Sequence, residues 1–198
     1  MYIIQGGETL SGEIRVQGSK NSSLPILAAT ILNGSKNTIC DVPKIKDIEV
    51  MNQILLHLGA DIVEKDNVIE INTENVNKFD VPEQLMRRMR SSIVLMGALL
   101  GRFGKAKVSY PGGCEIGPRP IDLHLKGLSL MGVNFTEGHG FLYAKASELK
   151  GAEIHLDFPS VGATENLMLA GVLAKGTTII RNVAKEPEIV DLQNFLNR

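Results

Sequence analysis

Leu58-Gly59-Ala60-Asp61 and Met131-Gly132-Val133-Asn134 are one short passage written twice. In each, a long apolar residue meets glycine, then an apolar residue and a short polar one. Ahead of the first copy, Ile48, Met51, Leu55 and Leu58 recur at helical spacing behind the capping residue Asp47. This predicts a helix over 47–58 that stops at Gly59. Behind it, residues 61–65 and 68–72 flank Asp66-Asn67, the pattern of a hairpin. The second copy has the same surroundings: a helix over 121–131 stopped at Gly132, then strands over 133–137 and 141–146 about Gly138-His139-Gly140. Helix, glycine stop and hairpin thus recur about 70 residues apart, a period longer than that of solenoid repeats.

Working outward, each passage belongs to a larger unit. In the first, Ser22 is a candidate cap for an apolar helix over 24–32, Pro25 suits its first turn, and Asn33-Gly34 ends it. A strand over 37–42 follows. In the second, Asp80 with Glu83 makes an N-terminal box, and Pro82 opens a long helix reaching about Leu100, then a strand over 106–110. Cys40-Asp41-Val42-Pro43 corresponds to Ser109-Tyr110-Pro111 in the turn after these strands. A third round has a strand over 152–158, a helix over 163–174, a strand over 177–183 and a helix over 188–197. Each unit reads β-α-β-α-β-β, the third without its last two strands, as though cut inside a repeat. Ahead of them, residues 1–17 suggest two short strands, 2–5 and 13–17, about Gly6-Gly7. Three such units are expected to bury their amphipathic helices together with the sheets outside, an α/β (α+β) architecture.

Composition narrows the chemistry. With 21 basic and 22 acidic residues the formal charge is −1, so an anion must be bound locally and no global field favours nucleic acid or a membrane. Trp is absent and aromatics are 5%, which argues against a stacking platform for single-stranded nucleic acid. Two cysteines do not make a disulfide framework. No signal-peptide pattern or stretch of membrane-spanning length is present, and the default expectation is a cytoplasmic protein.

Four groups of residues carry potential chemistry. Tyr110-Pro111-Gly112-Gly113-Cys114-Glu115-Ile116-Gly117-Pro118-Arg119-Pro120 excludes regular structure and sets a thiol five residues from a guanidinium. It suits a reactive thiol over an anionic substrate, and equally a surface loop with an incidental cysteine. Lys20-Asn21 stands at the mouth of the first helix, where N–H groups favour an anion, or is simply a solvated polar helix start. Arg87, Arg88 and Arg90 share a helix with Met86 and Met89 as core filling, and nothing internal singles out a functional arginine. Ser160-Val161-Gly162 closes a strand and opens a helix with small residues, without a full dinucleotide or P-loop fingerprint. The four histidines lack metal-ligand spacing, so no metal or other cofactor is expected. Lys20-Asn21, Arg90 and Ser160-Val161-Gly162 hold the same place in successive units, which predicts that they meet at one rim.

These motifs, with Arg87-Arg88-Met89-Arg90-Ser91-Ser92, Ser160-Val161-Gly162-Ala163-Thr164-Glu165 and Ala184-Lys185-Glu186-Pro187-Glu188-Ile189-Val190-Asp191, resemble the N-terminal half of the UDP-N-acetylglucosamine enolpyruvyl transferase (1-carboxyvinyltransferase) family. The resemblance runs essentially end to end. It implies an inside-out α/β barrel domain of three units over 18–198, with residues 1–17 joining the sheet of a second domain that this chain lacks. It implies transfer of the enolpyruvyl group of phosphoenolpyruvate to the 3-hydroxyl of UDP-N-acetylglucosamine, with release of phosphate, the first committed step of peptidoglycan synthesis. Cys114 would then be the catalytic acid toward the methylene carbon and the thiol alkylated by fosfomycin. Lys20, Asn21 and Arg119 would bind phosphoenolpyruvate. Arg90, Arg119, Pro120, Ile121, Asp122, Leu123, Ser160, Val161 and Gly162 would line the nucleotide-sugar site. Phe158 stands where some members carry a nucleotide-binding lysine. The family's catalytic carboxylate and further arginines lie in the second half, so the chain alone is expected to have little or no turnover. A non-catalytic nucleotide-sugar-binding domain is the alternative. The sister shikimate-pathway enzyme lacks a cysteine in such a loop, and RNA 3′-phosphate cyclases are related only in architecture.

Overall fold

The repeat in the sequence is a repeat in space in the computed structural model, which describes residues 2–7, 9–110 and 121–198. The first unit runs α1 (Lys20–Asn33), β1 (Lys36–Ile39), α2 (Lys46–Leu58), β2 (Asp61–Lys65) and β3 (Val68–Asn72). The second runs α3 (Glu83–Met86), a 3-10 turn (Arg90–Val94), α4 (Leu95–Phe103), β4 (Lys105–Ser109), α5 (Asp122–Leu130), β5 (Asn134–Gly138) and β6 (Phe141–Lys145). The third holds β7 (Glu153–His155), α6 (Val161–Gly171), β8 (Ile179–Arg181) and α7 (Pro187–Leu196). Two antiparallel sheets share one order, β1-β3-β2 and β4-β6-β5, and β7 pairs with β8 in parallel.

The twice-written passage is a helix stop with one geometry. Gly59 and Gly132 have φ of 108° and 93°, a region open to glycine and strained for other residues. The next residues then donate back into the helix, Ala60 to Leu55 O at 3.0 Å and Val133 to Leu128 O at 3.1 Å. Ala60 and Val133 are buried, which fixes where each following strand starts.

Helices α1, α4 and α6, one per unit, pack on one another at the centre. Around them α2 packs on α1, α5 on α6, and α7 on both α6 and α1, so the third unit closes a ring onto the first. The sheets lie outside: Ile69, Ile71, Val108, Leu142 and Ala144 face inward and are buried, while Glu70 between them is exposed. At Gly97 the backbones of α4 and α6 come so close that a Cβ would stand 2.2 Å from the carbonyl oxygen of Asn166. Among the described residues no helix is long and apolar enough to cross a membrane.

Several local expectations are corrected. Residues 2–7 and 9–17 form no strand, and Tyr2, Ile3, Ile4, Leu10, Ile14 and Val16 are exposed. A strand needs a partner, and no other described strand pairs with them. Helix α1 starts earlier than expected: Ser19 is its cap, accepting from Ser22 N at 3.3 Å, and Pro25 lies inside the helix. The long helix expected from Asp80 to about Leu100 is broken. Met89 is extended (φ −142°, ψ 118°), and the Ser92 hydroxyl donates to the carbonyls of Met86 and Met89, competing with the helical ladder. Asp80 makes no N-terminal cap but a single parallel bridge to Lys107. Asp47 lies within the first turn of α2 behind Ile45.

Candidate functional site

The helix starts at the centre of the ring are built alike. At α1, Ser19 Oγ accepts from Ser22 N at 3.3 Å, Ser19 O accepts from Ser23 N at 3.0 Å, and Ser23 Oγ donates to Ser19 O at 2.8 Å. At α6, Ser160 Oγ accepts from Ala163 N at 3.3 Å, Ser160 O from Thr164 N at 3.0 Å, and Thr164 Oγ1 donates to Ser160 O at 2.8 Å. In such a cap the serine hydroxyl satisfies one of the orphan donors of a helix and leaves the N–H groups of its first two residues directed outward. Those are Lys20 and Asn21 in α1, and Val161 and Gly162 in α6. In the second unit the break at Met89 sets Arg90 first in the 3-10 turn that leads into α4. The three-fold repetition therefore turns three unlike residues into neighbours.

They share one cavity of about 540 Å³. Asn21, Arg90, Ile121, Ser160, Val161 and Gly162 line it, together with Ser91, His124, Phe158, Glu165, Glu186 and Glu188. Lys20 does not: its ammonium lies 3.0 Å from the Asp47 carboxylate. Asp122 and Leu123 also lie off the cavity wall, Asp122 exposed in the first turn of α5 and Leu123 packed against the core. Cys114, Arg119 and Pro120, the expected catalytic and substrate-binding residues of the loop, lie outside the described residues.

Polar contacts organise the walls. Asn21 Nδ2 donates to Glu188 Oε1 at 3.3 Å, tying the mouth of α1 to α7. Asn166 is fully buried below the cavity, where its Nδ2 donates to Ile93 O at 3.0 Å and stands 2.9 Å from His124 Nδ1. Burial pushes the pKa of His124 down to about 4, with Arg90 adding to the effect and Asp122 opposing it. Burial, helped by the negative charge of Glu188, raises Glu165 to about 8. At neutral pH the imidazole is therefore uncharged and Glu165 is mostly protonated. The cavity can thus offer neutral donors beside the cation of Arg90.

No site role was expected of His124, Glu165, Glu186 or Glu188, although the three glutamates stand in motifs that carry the family resemblance. A signal existed in the helical period: His124 follows Ile121 by three residues, and Glu165 follows Val161 by four, so each pair shares a face. Glu186, which caps α7, and Glu188 in its first turn needed the ring closure, since only the return of α7 onto α1 brings them to the cavity.

Comparison with known proteins adds the family. The chain is 56% identical over 196 residues to a UDP-N-acetylglucosamine 1-carboxyvinyltransferase 2 of Caldanaerobacter subterraneus, covering 99% of this chain and 47% of that protein. It is 55% identical to a UDP-N-acetylglucosamine 1-carboxyvinyltransferase 1 of Carboxydothermus hydrogenoformans, covering 99% of this chain and 46% of that one. The chain thus spans about half the length of these relatives. The solved enolpyruvyl transferase NikO from Streptomyces tendae shares the fold with a TM-score of 0.84 at 24% identity, over 97% of this chain and 45% of the other. EPSP synthase from Acinetobacter baumannii shares it with a TM-score of 0.66 at 19% identity, over 89% of this chain and 41% of the other. The family model for EPSP synthase (3-phosphoshikimate 1-carboxyvinyltransferase) matches residues 4–198, and the chain belongs to that family.

Proposed function

We propose that this chain supplies one wall of an active-site cleft that transfers the enolpyruvyl group of phosphoenolpyruvate to the 3-hydroxyl of UDP-N-acetylglucosamine, in the cytoplasmic stage of peptidoglycan synthesis. The observation that carries this reading is the meeting of Asn21, Arg90 and Ser160-Val161-Gly162 at one cavity. The two relatives described above bear the name UDP-N-acetylglucosamine 1-carboxyvinyltransferase, which favours that acceptor over shikimate 3-phosphate.

On this reading the nucleotide sugar lies along the cavity, its diphosphate at the N–H groups of Val161 and Gly162 and its charge met by Arg90 and Arg119. Pro120, Ile121, Asp122 and Leu123 hold the nucleotide end, Asp122 and Leu123 through backbone at the start of α5. Phosphoenolpyruvate sits toward Lys20, Asn21 and Arg119, and its charge draws the Lys20 ammonium away from Asp47. Cys114 protonates the methylene carbon, the sugar oxygen adds to the adjacent carbon, and the tetrahedral adduct collapses with loss of phosphate and of a proton from the newly formed methyl group. The carboxylate that takes the hydroxyl proton belongs to a second domain, whose sheet receives residues 1–17. The chain alone accordingly binds without turning over. It is the same thiol, Cys114, that fosfomycin alkylates.

Two measurements on one preparation test this. Calorimetry with UDP-N-acetylglucosamine should give saturable one-to-one binding, and Arg90→Met should weaken it about tenfold or more. Phosphate release from both substrates should be at background. Absence of binding by the nucleotide sugar overturns the proposal, and phosphate release by the chain alone overturns the assignment of the missing carboxylate.

A further inference from the structure

Asn33 is the only asparagine of the chain that is followed by glycine, and it closes α1 at the end far from the cavity. An asparagine side chain and the next backbone nitrogen can close a five-membered imide. Glycine, with no side chain, leaves that nitrogen unhindered. Folding ordinarily suppresses the reaction by engaging the nucleophilic N–H in a hydrogen bond and by holding the side chain away from it. Around Asn33 the fold does neither.

The nucleophile is free. The glycines that stop α2 and α4 donate their N–H groups back into the helix, Gly59 to Leu56 O at 3.1 Å and Gly104 to Leu100 O at 2.9 Å. Gly34 has the same left-handed backbone (φ 62°, ψ 32°) but makes no such bond among the described residues. The carbonyls within its reach accept from elsewhere, Thr30 O from the Thr73 hydroxyl at 2.7 Å and Ile31 O from Arg102 Nη1 at 2.9 Å. The Arg102 guanidinium also lies beside Gly34, its Nη2 3.5 Å from where a Cβ would stand. A cation there favours loss of the amide proton.

The electrophile is held and polarised. Asn33 Oδ1 accepts from Ser35 N at 3.1 Å, which bends the side chain back over the Gly34 nitrogen, and from Asn37 Nδ2 at 3.2 Å. Attack at Cγ turns Oδ1 into an oxyanion, and both donors are already in place to stabilise it. The leaving group, Asn33 Nδ2, donates to Asn37 Oδ1 at 2.8 Å, and Asn37 is itself fixed by donating to Ser35 O at 3.0 Å. Asn33 is exposed, and with Asn37 it lines a second cavity of about 650 Å³, so water reaches it.

We propose that Asn33 is a self-modification site, at which the fold promotes deamidation. The Gly34 amide gives its proton to water and its nitrogen bonds to Asn33 Cγ. The Cγ–Nδ2 bond then breaks, and ammonia leaves after taking a proton from solvent. A water molecule opens the imide at Cγ to give aspartate, or at the backbone carbonyl to give isoaspartate. Either product puts negative charge at the C-terminal end of α1, where the helix dipole disfavours it. Isoaspartate also lengthens the backbone that joins α1 to β1.

The experiment ages the chain at pH 8, folded and in parallel unfolded in guanidinium chloride, and follows each asparagine by peptide mapping with isoaspartyl-specific methylation. Asn33 should convert about threefold or more faster in the folded chain than in the unfolded one. Asn21 should stay intact in the folded chain, because the N–H that follows it is held by the Ser19 hydroxyl. Asn37→Ala removes one donor from Oδ1 and should slow Asn33 about tenfold in the folded chain while leaving the unfolded rate unchanged. A fold that only tolerates the reaction predicts the reverse, since Asn37→Ala frees the side chain. A folded rate at or below the unfolded one overturns the proposal, as does an unchanged or faster rate in the Asn37→Ala chain.

Discussion

At the residue scale, the two buried titratable groups of the cavity are pushed in opposite directions, and Glu165 gives the cleaner test. Its pKa is raised from 4.5 to about 8, so the folded chain holds a proton that the unfolded chain has lost. The stability it contributes is full below about pH 4.5 and is lost as the pH rises toward 8. Glu165→Gln should therefore leave stability little changed at pH 4.5 and raise it by about 3–5 kcal/mol at pH 8, read from urea unfolding at the two values. A difference independent of pH would mean that the carboxyl is not protonated in the folded chain. Residues of this kind were the least legible in the sequence. Asn21, Arg90 and Ser160 stood out because they repeat at one position of the unit. His124, Glu165 and Asn166 do not repeat, and a lone histidine or glutamate on a helix is ordinarily core or solvated surface.

At the element scale, the central helices depend on close backbone approach more than on side-chain bulk. A Cβ at Gly97 would lie 2.2 Å from the Asn166 carbonyl and 2.4 Å from its Oδ1, and neither backbone nor a pinned amide can yield. Gly97→Ala should cost about 1–3 kcal/mol of stability by forcing α4 and α6 apart, despite the better helix propensity of alanine. Its urea midpoint should fall, and an unchanged or higher midpoint would contradict this packing. The glycine stops at Gly59 and Gly132 were legible because a positive φ demands glycine. The break between α3 and α4 was not. Arg87, Arg88 and Met89 are good helix formers, and only the Ser92 hydroxyl and the neighbouring units impose the kink that puts Arg90 at a helix mouth.

At the scale of the whole molecule, three units close a ring, and among the described residues the β1 edge of the first sheet lacks the parallel neighbour found in the other two units. In the second and third units the strand after the first helix has a parallel neighbour, the bridge of Asp80 to Lys107 and the pairing of β7 with β8. Among the described residues β1 has β3 alone. Residues 2–7 and 9–17 bury almost nothing here, although 13–17 carry the alternation of a strand, since period-2 patterning states which face a strand would bury but not which sheet receives it. Deleting residues 1–14 should therefore leave the urea midpoint unchanged, and a clear fall would show that the segment docks on this chain. The ring was legible because its unit is written in helix stops and hairpins, local signals that survive without any knowledge of packing. The central claim is that the mouths of the three central helices form one nucleotide-sugar site. Backbone amide NMR during titration with UDP-N-acetylglucosamine tests it most directly. The largest shifts should fall at Asn21, Arg90-Ser91, His124 and Ser160-Val161-Gly162 together. Shifts confined to one of these segments, or scattered elsewhere, would contradict it.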